Sequence, residues 1–132
     1  ITVIDEKGKF IRLTGSRLDY PELPLVIGEA ANLSIADISG LMEDNQYFLD
    51  QVRAFVRVGE RRWDLVLDNN LRIMLPQTEF LAAFDRLMLM NQSGSLFFNQ
   101  LSIIDMRLVE RPTVRVGAAS VDRLTYNSSG DL

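Results

Sequence analysis

QVRAFVRVGERRWDLVLDNNLRIML, residues 51–75, sets the fold class. Apolar residues recur at every second position in three successive runs. Val52, Ala54, Val56 and Val58 alternate with Arg53 and Arg57, then Trp63, Leu65 and Leu67 with Arg62 and Asp64, then Leu71, Ile73 and Leu75 with Arg72 and Met74. Period-two alternation marks β-strands with one buried face. Gly59-Glu60 and Asp68-Asn69-Asn70 separate the runs, and Gly, Asn and Asp tolerate the left-handed backbone of tight turns. The reading is a three-stranded meander with one apolar face, on which Trp63 is a core anchor whose indole N–H needs a polar partner.

Downstream, Pro76 stops the sheet and Thr78 is placed to cap a helix. Phe80, Leu81, Phe84, Leu87 and Met88 form a stripe wide enough to cover a sheet. Gly94 ends that run, and Ser95–Gln100 reads as a short helical or turn segment. Upstream, Ile35, Ile38, Leu41 and Met42 follow helical spacing, with Ser34 or Asn32 as N-cap and an end near Asn45. Leu25-Val26-Ile27 is a short apolar piece closed by Gly28, and Gly15–Pro24 is a loop. Ile1–Asp5 and Phe10–Thr14 flank Glu6-Lys7-Gly8-Lys9 as a hairpin. There is no internal sequence repeat. The expected fold is α+β, a mostly antiparallel mixed sheet covered by two main helices. Residues 1–117 form the domain and 118–132 a partly ordered or frayed tail.

LSIIDMRLVERPTVRV, residues 101–116, adds two strands, Leu101–Val109 and Thr113–Val116, folded back around Glu110-Arg111-Pro112. No strand-like segment follows. A terminal strand with an open row of backbone N–H and C=O groups is either protected or used, and in use it accepts a partner's strand. Asp105 and Arg107 lie two apart on one face, opposite Ile104, Met106 and Leu108. They are either a surface ion pair of little energetic weight or a bidentate donor for a partner carboxylate, and the residues alone leave both readings open.

Composition removes many alternatives. A length of 132 residues with 47% hydrophobic content suits one domain with a real core. Net charge is −4, so the counterion-release drive for nucleic acid is missing. Neither Cys nor His occurs, which excludes disulfides, thiolate or imidazole metal ligation and His-based catalytic triads. Asp64, Asp68, Asn69 and Asn70 lack calcium-loop spacing and are read as turn residues. The remaining acids are scattered over turns and helix ends, so no enzyme activity, metal, cofactor or small-molecule substrate is expected. No apolar run is long enough to span a bilayer. The chain opens at Ile1 inside strand-like sequence, as expected of a portion of a longer protein.

Three segments, LPLVIGEAA (23–31), RRWDLVLDNNLRIMLP (61–76) and Ile103–Arg107 with Arg111 and Arg115, together resemble the FtsQ/DivIB family of bacterial cell-division proteins. ITVIDEKGKFI resembles the strand-turn-strand that opens the family's C-terminal β domain. The resemblance implies a periplasmic domain of a single-pass inner-membrane protein, whose membrane helix and POTRA domain lie outside this sequence. It implies a divisome scaffold without catalysis that binds FtsB, and through it FtsL, and helps regulate septal peptidoglycan synthesis. Carried onto matching positions, Thr113, Val114, Arg115 and Val116 are the strand-accepting edge. Arg107 contacts an acidic residue of FtsB, with Leu108 and Val109 beside it, and Arg61 is a second basic contact. Leu108 stands where some relatives carry an aromatic residue. A periplasmic chaperone or translocation-type peptide-binding module is the alternative, and a small cell-wall-active enzyme the third.

Overall fold

The computed structural model describes residues 2–92, 100–108 and 110–117. The chain divides between Asp68 and Asn69 into two compact units.

The first unit opens with the expected hairpin, β1 (Thr2–Ile4) antiparallel to β2 (Phe10–Leu13). Asp5 builds its turn: one carboxylate oxygen accepts the N–H groups of Lys7 at 2.9 Å and Lys9 at 2.8 Å. The Lys9 amide, with that of Lys7, holds the Asp5 carboxyl below its usual range. The 15–24 loop contains one 3₁₀ turn, Arg17–Asp19, capped by the Ser16 hydroxyl, which accepts from Leu18 N–H at 3.1 Å. β3 (Leu25–Ile27) then pairs parallel to β4 (Val52–Val58), with three short helices in the crossover.

Those helices are α1 (Ala31–Ser34), α2 (Ala36–Asp44) and α3 (Gln46–Leu49). The expected apolar face is present, with Ile35, Ile38 and Leu41 buried. The expected cap is not. Helix formation starts at Ala31, after Ala30 in a left-handed conformation (φ 55), so Asn32 and Ser34 lie inside α1 rather than at its N-cap.

β5 (Arg62–Leu67) is antiparallel to β4, and here the register corrects the sequence reading. Gly59 and Glu60 both adopt positive φ (61 and 56) and Arg61 N–H closes on Val58 C=O at 3.1 Å, but the last strand pair is Val58 with Arg62. A strict two-residue loop would have paired Val58 with Arg61 and put Val56 beside Trp63. The extra residue shifts the register by one, which flips every side chain. Arg57 therefore stands opposite Trp63, and Phe55 opposite Leu65. Both faces are covered: Phe55, Trp63 and Leu65 are buried on one, Ala54 and Asp64 on the other. Asp64, read from the sequence as a turn residue on the side opposite the apolar face, is buried within β5 and paired with Arg62. The Trp63 indole N–H has no hydrogen-bond partner among the described residues. The Arg57 guanidinium covers the ring face at 5.1 Å.

The second unit holds β6 (Arg72–Met74), α4 (Phe80–Gln92), β7 (Leu101–Asp105) and β8 (Thr113–Val116). β6 and β7 are parallel, joined through α4, and β7 and β8 antiparallel. From β3 onward the first unit runs β-α-β-β, and the second unit does the same: a parallel pair followed by an antiparallel strand, a repetition of topology without repetition of sequence. Asn70 takes the left-handed conformation expected of the turn (φ 69), and the Asn69 side chain accepts Leu71 N–H at 3.1 Å. α4 starts directly after Glu79 (φ 58), whose carbonyl accepts Ala83 N–H, so Thr78 stands one residue short of the cap. Its buried stripe is Ala83, Phe84 and Leu87, whereas Leu81 is exposed. The small Ala83 lies closer to the Phe84–Leu87 line than Leu81 does, one helical step of about 100° from Phe80. Among the described residues no helix is long and apolar enough to cross a membrane. Residues 95–99 and the 118–132 tail lie outside the described residues.

Candidate functional site

β8 follows from two local signals. Pro112 cannot donate to a ladder and marks the start of an extended segment. Thr113-Val114-Arg115-Val116 is rich in β-branched residues that suit a pleated surface. The strand pairs Asp105 with Thr113, Ile104 with Val114, Ile103 with Arg115 and Leu101 with Val116. The ladder shifts between Leu101 and Ile103, and at that shift the Ser102 hydroxyl donates to Arg115 C=O at 3.2 Å. Ser102 was not singled out from sequence. Its only signal there is a hydroxyl inside an otherwise aliphatic strand.

One further bond fixes which backbone groups face outward. Gly117 N–H donates to Gln100 C=O at 2.9 Å, on the β7 side. In an antiparallel ladder, inward- and outward-facing residues alternate. Arg115 and Thr113 therefore face β7 like Gly117, and the N–H and C=O groups of Val114 and Val116 face away from it. Among the described residues β8 has one strand neighbour, β7. Its exposure contrasts with that of β5, which holds the same place in the topology of the first unit: β5 is largely buried, whereas Thr113, Val114 and Arg115 are exposed.

The register gives this edge two chemical sides. Val114 and Val116 share the face of Ile104 and Leu101; Ile104 is buried while Val114 keeps 47% exposure. Thr113 and Arg115 share the other face with Asp105 and Ile103. The edge is thus apolar on one side and polar, partly basic, on the other.

β7 is shorter than its pattern suggested, ending at Asp105 instead of Val109. The cause is Asp105 itself. Its Oδ1 accepts Arg107 N–H at 3.0 Å, an Asx-type bond that turns the chain out of the strand. Met106 is still held in extended fashion, donating to Met74 C=O at 2.8 Å with its side chain buried. Leu108, expected on the Ile104–Met106 face, is instead 68% exposed in the connection, where Arg111 N–H closes on its carbonyl at 2.9 Å. Val109 lies outside the described residues.

The Arg107 guanidinium folds back on Asp105. Nε donates to Oδ1 at 2.9 Å and to Oδ2 at 3.1 Å, and Nη2 donates to Oδ2 at 2.7 Å. The pair is solvent-accessible, with side-chain exposures of 51% for Arg107 and 23% for Asp105. Arg107 and Leu108 therefore lie just past the Asp105–Thr113 end of the β7–β8 pair, and Val116 lies at the opposite end beside Leu101. Arg61 belongs to the first unit, exposed on the β4–β5 turn beside Gly59.

The first unit also holds an open cavity of about 750 Å³, walled largely by apolar groups such as Ile4, Phe10, Leu25, Val26, Ile35 and Phe55. Asp5, on its rim, is committed to the hairpin turn. Among the described residues no group of three or more His, Cys, Asp or Glu side chains is placed to hold a metal ion.

The family model described as "Cell division protein FtsQ/DivIB, C-terminal" matches residues 1–107. Curated proteins named cell division protein FtsQ are similar to this chain. That of Jannaschia sp. strain CCS1 is 37% identical over 124 residues, covering 94% of this chain and 40% of its own length. That of Dinoroseobacter shibae is 36% identical over 124 residues, with 94% and 42% covered. That of Bartonella bacilliformis is 34% identical over 126 residues, with 93% and 40% covered. The chain spans about two fifths of the length of these relatives.

Proposed function

The chain belongs to the FtsQ/DivIB cell-division family, and on that premise we propose that it is a non-catalytic divisome scaffold domain that captures FtsB by strand addition at Thr113–Val116. FtsL is reached through FtsB, and the assembly helps regulate septal peptidoglycan synthesis. The full-length protein is a single-pass inner-membrane protein with this domain, residues 1–117, on the periplasmic side.

The observation that carries this reading is the outer edge of β8, which has β7 as its one strand neighbour among the described residues and where the Val114 and Val116 backbone groups face away from β7. An added strand satisfies those groups and covers the half-exposed Val114 side chain. The two-sided edge favours a segment with apolar residues at alternate positions and an acidic residue on the other side. Arg107 supplies the charge-assisted contact for that acid, Leu108 and Val109 flank it, and Arg61 is a second basic contact for the same partner.

Val114→Pro tests this. Proline at an outward-facing edge position removes a donor that makes no ladder bond to β7, so the β7–β8 pairing is kept while the incoming strand loses its partner. Isothermal titration with an FtsB-derived segment should show affinity reduced about tenfold or more, the worth of one to two net hydrogen bonds plus the ring's obstruction. Unchanged affinity in a folded variant would sink the strand-capture reading.

A further inference from the structure

We propose that Asp105 is an internal stand-in for a partner's acidic group: it occupies the Arg107 guanidinium in the free domain and is displaced when an acidic extended segment docks on β8. The inference rests on strand capture at Thr113–Val116 and adds a competitor to it.

Three observations on the edge lead here. The Asp105 carboxylate takes Arg107 in a bidentate contact through Nε and Nη2, the geometry in which an arginine binds any carboxylate, so an incoming acid and Asp105 compete for the same donors. The pair is two residues apart and half in water, so holding it costs little chain entropy, while solvent screening keeps it weak enough to exchange. Asp105 is also the cross-strand partner of Thr113, on the polar side of β8, where an added strand would present its acids. An acid arriving there meets Asp105 as a like charge unless it takes over Arg107. Asp105 thereby sets a threshold that the partner's acidic group must exceed.

The backbone bond gives a way to isolate this role. Asp105 Oδ1 also accepts Arg107 N–H, and an asparagine carbonyl can do the same. Asp105→Asn therefore keeps the turn while removing the charge that holds the guanidinium. The experiment titrates wild type, Asp105→Asn, Arg107→Ala and the double variant with the acidic FtsB segment and with a version in which its acids are replaced by amides. Thermal unfolding of each variant checks the fold.

Asp105→Asn should tighten binding of the acidic segment about two- to fivefold, the range of an exposed ion pair, and leave the amide version unchanged. In the Arg107→Ala background the gain should disappear, since no guanidinium remains to be released. Weaker or unchanged binding of the acidic segment by Asp105→Asn overturns the proposal. So does an equal gain with and without Arg107, which would reduce the effect to general charge repulsion. If neither segment binds wild type, strand capture itself fails and this inference falls with it. If both bind and only the Asp105 effect is missing, strand capture stands.

Discussion

Gly28 closes the Leu-Pro-x-x-x-Gly segment, and its replacement by alanine should be among the most damaging single-methyl changes in the first unit. Its φ is 123°, a region essentially closed to L side chains. A Cβ built there would also lie 2.4 Å from the Arg57 carbonyl oxygen and 3.2 Å from its carbon, both backbone atoms of β4 that are fixed by two strand pairings. The backbone strain costs about 1–3 kcal/mol. Forcing β3 away from β4 adds a further ~1–3 kcal/mol of overpacking. The expected loss is thus about 2–6 kcal/mol against a total near 7–20 kcal/mol for 132 residues, at roughly 0.05–0.15 kcal/mol each. Gly40→Ala is the control: that glycine is exposed in α2 with nothing within 4 Å, so alanine should stabilise by about 0.5–1 kcal/mol. Urea unfolding at pH 7 measures both. A Gly28→Ala variant within about 0.5 kcal/mol of wild type would refute the close approach of β3 to β4 at this residue.

Proline scanning along β8 should alternate. Val114→Pro should leave the thermal midpoint nearly unchanged because its N–H faces outward, whereas Arg115→Pro removes an inward donor and should cost about 1–3 kcal/mol; equal effects would contradict the assigned alternation. Asp5, whose carboxyl is held low by the Lys9 and Lys7 amides, has a folded pKa below its unfolded 3.8. Its contribution is therefore complete above that value and is lost as pH falls through the lower folded pKa. Denaturation between pH 5 and pH 2 should show a shallower acid loss for Asp5→Asn than for wild type, and identical slopes would remove Asp5 from the acid response.

The strands were legible where alternation and turn residues coincide. Val52–Val58, Arg62–Leu67 and Thr113–Val116 stand where period-two patterning put them. What the pattern could not supply was register. One extra residue in the Gly59 turn moved Arg57 onto the Trp63 face and buried Asp64, because a loop length decides which alternating set meets which. The parallel pairings of β3 with β4 and of β6 with β7 were equally hidden, since they depend on crossovers through helices and not on any local signal. At the edge, the Asp-x-Arg spacing marked a pair but not its geometry. Strand periodicity put Arg107 and Leu108 on opposite faces of a continuing β7, while the Asp105 carboxylate ended the strand by taking the Arg107 amide. A side chain that competes with the ladder overrides the periodicity around it.

Amide hydrogen exchange on β8, with and without the FtsB-derived segment, tests the central claim most directly. In the free domain Thr113 and Arg115, facing β7, should exchange slowly, and Val114 and Val116, facing outward, should exchange fast. Saturating segment should slow Val114 and Val116 specifically, as their N–H groups gain strand partners. Binding that leaves those two amides as fast as before would contradict strand addition at this edge.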